Sequence, residues 1–342
     1  MPKTYIVIVN YNGHTDTAEC LETVLKQDSE DFQVLVVDNS TTIDSLNRLL
    51  AWADGKETTI ATEFKELVYP LVAKPVQYSV ISENELLLKK RTEKILFIKA
   101  NENNGFAAAN NVALRYIQKY GDREDYVWLL NNDTVIEKGC LAKIVSGLKK
   151  HNEPATIFGT PLLEYYQKGT VQVVGGLYNR ITGTTTHVGE GIPLPALEAE
   201  ITDKIDYPVG ASIIVKKDFL DIVGLMNEEY FLYFEEPDWT ARAKMEGGSC
   251  VILPVYGVYH KQGGSTVKTK VKSKPEFIDL LSLRNRIIFA KRYNTKNVAF
   301  IYLFIVGITI PRRILAGNFK IVPKIIKMLF KQLNTKPGTL NA

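Results

Sequence analysis

The chain is a series of short apolar runs, each broken by a polar loop and many followed by an amphipathic stretch. Residues 5–9, 32–37, 94–98 and 126–130 read as strands buried on both faces, because their apolar runs are nearly unbroken. An amphipathic helix is predicted over residues 15–27, so the first two strands form a βαβ unit with both loops on one edge. Further strands are predicted at 157–163, at 171–178, after Gly210-Ala211-Ser212, and at 250–253. Helices are predicted to start near Ala107, at Gly139 (running to His151) and near Asp218. Strands that alternate with helices predict an α/β fold with a mainly parallel sheet. Residues 179–191 read as a Gly/Thr-rich loop or hairpin and residues 194–204 as a mobile connection. Residues 49–94 fit neither period: charge is mixed, Pro70 and Pro75 interrupt, and the stretch reads as an insertion, a lid or contact surface.

The polar breaks fall at the carboxyl ends of the predicted strands, where open α/β sheets bind their ligands. The clearest is residues 125–139, DYVWLLNNDTVIEKG, in which Asn131, Asn132 and Asp133 interrupt an apolar run. Asn131 can bond a sugar or ribose hydroxyl, and Asp133 is a hard oxygen ligand of the kind Mg²⁺ or Mn²⁺ takes beside phosphates. Asn-Asn-Asp is equally the chemistry of a turn, and the residues alone leave both readings open. Asp38 ends the second strand, as an acid does where a Rossmann-like fold reads a nucleoside. No GxGxxG follows the first strand, so no dinucleotide cofactor is expected. At Asn103-Asn104-Gly105 a Gly turn opens a helix through Ala107, Ala108 and Ala109. That pattern favours an anion or, equally, close helix–sheet packing.

A length of 342 residues exceeds one average domain, and 45% hydrophobic with 23% charged residues predicts a globular chain with a real core. Cys20, Cys140 and Cys250 match no metal spacing and predict core packing in a reducing compartment. The opening PKTYIVIVNY reads as a strand, too short and too soon polar for a signal peptide. The net charge of +4 hides an asymmetry: no acid follows Asp279, against 12 Lys and Arg from Arg284 to Lys336. Such a tail seeks anions.

Glu235, Glu236 and Asp238 crowd three carboxylates at a predicted helix start, with Pro237 at a position where its missing N–H costs nothing. The helix dipole alone would account for them. Phe231, Tyr233, Phe234 and Trp239 supply a second reading, since apolar neighbours raise a carboxyl's pKa and make it a base near neutrality. Asp238 stands four residues before Arg242, the spacing of a helical ion pair, and is the alternative base. His260, one of four histidines, precedes Gln262-Gly263-Gly264-Ser265 and is the candidate to complete a metal site begun by Asp133. Ser/Gly loops also wrap phosphates.

IVIVNYNG, VLVVDNS, ENNGFAAANN, LLNNDT, VGAS, FLYFEEPDW and HKQGGS follow one another as in the family 2 glycosyltransferases of the GT-A fold. The chain resembles their bacterial rhamnosyltransferase-like branch over roughly residues 4–293. The resemblance implies a Rossmann-like, mixed but mainly parallel sheet flanked by helices. It implies a GT-A domain at 1–265, carrying the insertion, and a basic helical membrane-associating extension at 266–342. It implies that Asn10, Tyr11 and Asp38 line a nucleoside pocket, with Asn103, Gly105 and Asn110 near base and ribose. Asp133 would bind a divalent cation bridging the donor diphosphate, His260 would contact that ion, and Gly210 would face donor sugar and acceptor. Asn131 stands where the family's DxD-type motif starts with an aspartate, removing one charge. Glu236 stands where the xED motif has its basic aspartate, one methylene longer.

The implied reaction is inverting transfer of rhamnose or another hexose from a UDP- or dTDP-sugar, with Glu236 taking the acceptor proton. The acceptor would be a lipid-linked saccharide in cell-surface polysaccharide assembly. Two alternatives stand beside it: an inactive nucleotide-sugar-binding partner subunit, and a nucleotidyltransferase, which would need a Gly- and Arg-rich loop that NYNGHTD lacks. Residues 298–310 are 13 nearly unbroken apolar residues, about 20 Å of helix against a bilayer core of about 30 Å, too short to cross alone. Ile321, Ile325, Met328 and Leu329 then alternate with Lys320, Lys324, Lys327 and Lys331. That pattern predicts peripheral contact with the anionic cytoplasmic leaflet of the cell membrane. The interleaved apolar run argues against nucleic acid.

Overall fold

The computed structural model describes residues 2–29, 31–197, 204–261 and 276–335. Its first five strands are β1 (Thr4–Asn10), β2 (Phe32–Asp38), β3 (Tyr78–Ser82), β4 (Ile95–Lys99) and β5 (Tyr126–Leu130). Short strands follow: β6 (Thr134–Ile136), β7 (Ile157–Gly159), β8 (Leu162–Glu164), β9 (Val171–Val173), β10 (Gly175–Tyr178) and β11 (Thr185–Val188). β12 (Ser212–Lys216), β13 (Cys250–Ile252) and β14 (Val258–His260) come last. The described residues build an eight-stranded sheet in the order β13-β7-β12-β5-β1-β2-β4-β3. β1 has parallel neighbours on both sides, β2 and β5, so a crevice opens at their carboxyl ends. β12 runs antiparallel to β5 and β7, which makes the sheet mixed but mainly parallel.

Both faces of this sheet are covered, which is why its strands are apolar at nearly every position. Ile6, Ile8, Val34 and Trp128 face the helices His14–Val24, Asp44–Ala53 and Cys140–Leu148. Tyr5, Val7, Leu35 and Leu129 face Gly105–Tyr120, Lys217–Ile222 and Glu235–Met245. Each fully buried aliphatic side chain contributes about 1.5–3 kcal/mol, so a polar residue inside these strands would need a partner.

A second sheet, in the order β6-β14-β8-β9, leans on the first. The runs 157–163 and 171–178, each predicted as one strand, are divided between sheets. Between β7 and β8 lies Pro161, which has no N–H to continue a ladder. β10 leaves to form a hairpin with β11.

Residues 49–94 are not a detachable insertion. Trp52 is fully buried, and its Nε1 donates to Glu22 Oε1 at 2.9 Å. β3 pairs in parallel with β4 and closes the sheet edge. The regular elements after residue 53 are only four or five residues long, too short to print a period on the sequence.

The boundary expected at 265/266 falls before the helix Glu276–Tyr293, which is built into the body. One side of it, Ile288 and Phe289, packs on Tyr230 and Phe234. Another side, Leu283, Ile287 and Ala290, packs on Ile301, Ile305, Ile310, Ile321, Ile325 and Leu329 of the tail. The tail helix also runs longer than the 13-residue apolar run. Residues 295–315 form a 21-residue helical stretch long and apolar enough, by length and composition, to cross a membrane. Arg312 and Arg313 near its end do not stop it, because charged residues at a helix end leave the backbone bonding intact.

Candidate active site

The β1–β2 edge is a closed polar network. Asn10 is fully buried; its Nδ2 donates to Asp38 Oδ1 at 2.7 Å and Ser45 Oγ at 2.9 Å. Its Oδ1 accepts from Thr17 Oγ1 at 2.9 Å and the Gly13 N–H at 3.2 Å. Asp38, also fully buried, accepts from Ser40 Oγ at 2.7 Å and pairs with Lys99 Nζ at 2.8 Å. Lys99 was missed in the sequence reading. It ends β4 directly beside Asp38, and a lysine closing a buried strand was its only signal. Asn10 and Asp38 therefore spend their polar atoms on the loop itself, whereas Tyr11 is exposed at the mouth. Asn103, half-buried, accepts through Oδ1 from Asn39 Nδ2 at 2.9 Å. Asn110 is buried in its helix and donates back to the Phe106 carbonyl at 2.9 Å.

The Asn131-Asn132-Asp133 segment joins β5 to β6, and this connection brings distant residues together. β6 runs antiparallel to β14 with Thr134 opposite His260, so Asp133 and His260 meet: Oδ1 lies 3.1 Å from Nε2. His260 Nδ1 donates to Gln172 Oε1 at 2.7 Å, so Nε2 is the ring nitrogen turned to Asp133. Asn131 Nδ2 stands 3.4 Å from the same Nε2. Lys261 anchors this strand end through Asp16 at 2.7 Å and Glu19 at 2.5 Å. Asn132 turns inward and donates to Thr17 Oγ1 at 3.0 Å. Among the described residues no group of three or more His, Cys, Asp or Glu forms a metal cage. One carboxylate beside one imidazole nitrogen fits a hard cation whose remaining ligands are phosphate oxygens and water. The loop 262–265 lies outside the described residues, as do residues 198–203 of the expected mobile connection.

Across the sheet, Ser212 pairs with Leu130, and the Asn131 N–H donates to the Ala211 carbonyl at 3.0 Å. Gly210 is thereby set beside the Asn131–Asp133 turn, and Glu236 is lodged against it: a Cβ on Gly210 would stand 2.3 Å from Glu236 Oε1. Burial pushes the Glu236 carboxyl above its ordinary range, partly offset by hydrogen bonds from the backbone of Glu236 and Gly210. Glu235 is buried too and is pushed well up by burial and by the neighbouring Glu236 charge. Its Oε1 has no hydrogen-bond partner among the described residues.

Asp238, expected as a second catalytic carboxylate, is instead the hub of a helix anchor. It is fully buried; Oδ1 accepts from Arg242 Nε at 3.0 Å, and Oδ2 from Tyr293 at 2.8 Å and Tyr230 at 3.1 Å. Its contacts are all to the protein's own side chains, which ties it to the helix rather than to an acceptor.

Residues 84–193 match the family model for glycosyl transferase family 2. The chain carries a family 2 glycosyltransferase domain. It is 24% identical over 269 residues to the dTDP-rhamnosyl transferase RfbF of Shigella flexneri, covering 77% of this chain and 71% of that protein. Its fold is similar to S. aureus TarS in complex with UDP-GlcNAc (TM-score 0.54, 15% identity, 97% of this chain and 80% of that one). It is also similar to a mannosyltransferase of Pyrobaculum calidifontis in complex with GDP-Man and Mn²⁺ (TM-score 0.51, 14% identity, 99% and 76%). These likenesses establish a GT-A-like fold. For this glycosyltransferase, the two unusual letters of its motifs, Asn131 and Glu236, lie on neighbouring turns at one end of the sheet.

Proposed function

We propose that the protein is an inverting hexosyltransferase that moves rhamnose or another hexose from a dTDP- or UDP-sugar to a hydroxyl of a lipid-linked saccharide. The observation that carries this reading is Glu236: a desolvated carboxyl against Gly210, one strand pairing away from the Asn131–Asp133 turn. Its base form removes the acceptor proton as the hydroxyl attacks the anomeric carbon from the side opposite the leaving diphosphate. A single displacement inverts that carbon. The RfbF likeness favours dTDP-rhamnose, and the TarS complex keeps a UDP-sugar in contention.

Asp133 and His260 would hold Mg²⁺ or Mn²⁺, which supplies charge compensation for the departing diphosphate. Gln172 keeps the His260 ring in the ligand tautomer, and Lys261 holds the strand end in place. Asn131 and Gly210 border the sugar, with Tyr11, Asn103 and Gly105 on the nucleoside side. Asn10, Asp38 and Asn110 shape that side from beneath.

The protein would work on the cytoplasmic face of the cell membrane, in cell-surface polysaccharide assembly. Supporting this, Phe300, Leu303, Val306, Leu315, Phe319, Phe330 and Leu333 are all exposed on the tail, beside Arg312, Lys320, Lys327 and Lys331. With Ile301 and Ile305 packed on the body, the helix fits a position along the interface rather than through it.

Glu236→Gln tests the reading. It keeps shape and removes basicity, so kcat should fall by about 10²–10⁴-fold with donor affinity nearly unchanged. An active Glu236→Gln enzyme would remove Glu236 from the mechanism.

A further inference from the structure

The loop that delivers Glu236 is held in an unfavourable backbone conformation. Phe231, Tyr233 and Phe234 have φ of 65°, 72° and 77°. Non-glycine residues there are strained and persist only where the surroundings over-determine them. One support is the Gly105 turn. The Phe106 N–H donates to the Phe231 carbonyl at 2.7 Å, and a Cβ on Gly105 would stand 2.1 Å from that oxygen.

The other support is one side chain. Asn285 Nδ2 donates to the carbonyls of Tyr230, Leu232 and Tyr233 at 2.8, 2.9 and 2.9 Å. Asn285 is fully buried, and its Oδ1 accepts from Arg284 Nη1 at 2.8 Å, which turns the amide N–H groups toward the loop. Four successive carbonyls, from Tyr230 to Tyr233, are thus held by two partners. Phe234 then packs on Ile288 and Phe289, and Glu235 and Glu236 follow. Two amide N–H groups are shared among three carbonyls, so a single side chain fixes the turn through which the three positive-φ residues pass.

We propose that Asn285 is a positioning residue for sugar transfer: it pins residues 230–234 so that Glu236 meets the acceptor hydroxyl in the orientation the reaction needs. This rests on Glu236 as the base. Asn285 touches neither donor nor acceptor in this role.

The test is full-length Asn285→Ala, followed by donor consumption, donor affinity, melting temperature and the pH dependence of kcat. Displacement of a base by about 1 Å costs about 10²-fold, so kcat should fall by that order while donor affinity stays within about threefold. The acid limb of the kcat profile should also move to lower pH, because a loosened loop lets water reach the Glu236 carboxyl. Glu235, Tyr207 and Tyr233 are the titratable groups that act on that carboxyl, and the substitution leaves them unchanged. A wild-type kcat overturns the proposal, and so does a parallel fall of kcat, donor affinity and melting temperature. If Asn285→Ala does not fold, Asn285→Ser, which keeps one donor, is judged by the same split. Glu236→Gln separates the two ways to fail. If it is dead while Asn285→Ala is unimpaired, only the positioning role falls; if it is active, the base assignment falls first.

Discussion

Two buried polar clusters sit on the same edge of the sheet and are built on opposite principles. Around Asn10 and Asp38 the oxygens and nitrogens are matched: amide to carboxylate, hydroxyl to carboxylate, ammonium to carboxylate. At the Gly210 corner Glu235 keeps an unpartnered oxygen, and both glutamates are pushed toward their neutral forms by burial. The first arrangement makes a rigid floor, since amide, hydroxyl and ammonium partners fix Asn10 and Asp38 in one geometry. The second leaves two carboxyls whose pKa burial raises, the kind of perturbation that gathers at functional sites.

The largest effect should come from the cation-holding pair. Asp133→Ala, or chelation of the wild type by EDTA, should abolish sugar transfer while the protein stays folded. If turnover survives both, Asp133 and His260 are a hydrogen-bonded pair and nothing more. Next, Lys99→Ala should destabilise the fold by about 3–5 kcal/mol in a urea melt, because it strands the fully buried Asp38 charge.

Glu235→Gln should do the reverse. A carboxyl whose folded pKa is raised stabilises the fold below its unfolded pKa, and that stability is lost as pH rises through the folded value. The variant should therefore melt higher than wild type at neutral pH, with the gain vanishing near pH 4. Equal effects of Lys99→Ala and Glu235→Gln would erase the contrast between the clusters. The smallest effect on turnover should follow truncation after Asn294. The shortened protein should move from membrane pellet to supernatant and still act on a soluble acceptor. An unfolded truncate, with full-length protein ignoring anionic liposomes, would make the tail core structure.

Much of the molecule was legible in the residue pattern. Buried strands declare themselves because both of their faces must be apolar, and the polar ends of β1, β2 and β5 marked the end of the sheet where buried polar residues gather. The NND turn, the carboxylate cluster and His260 were visible as residue types out of place in apolar surroundings. Local rules also reached the Asp238–Arg242 pair, since four-residue spacing on a helix puts both on one face.

What the sequence could not decide was partnership across long separations. Asp238 reads as one more carboxylate until Tyr293, 55 residues on, saturates it. Residues 49–94 read as an insertion because sheet pairing of β3 and burial of Trp52 leave no periodic mark on such short elements. Asn285 is one unremarkable polar residue in a helix of mixed polarity, and only tertiary packing sets it against three carbonyls more than fifty residues away. Periodicity and local chemistry are written along the chain. Which buried polar groups find partners, and so which become scaffold and which stay reactive, is decided when the sheet brings distant turns together.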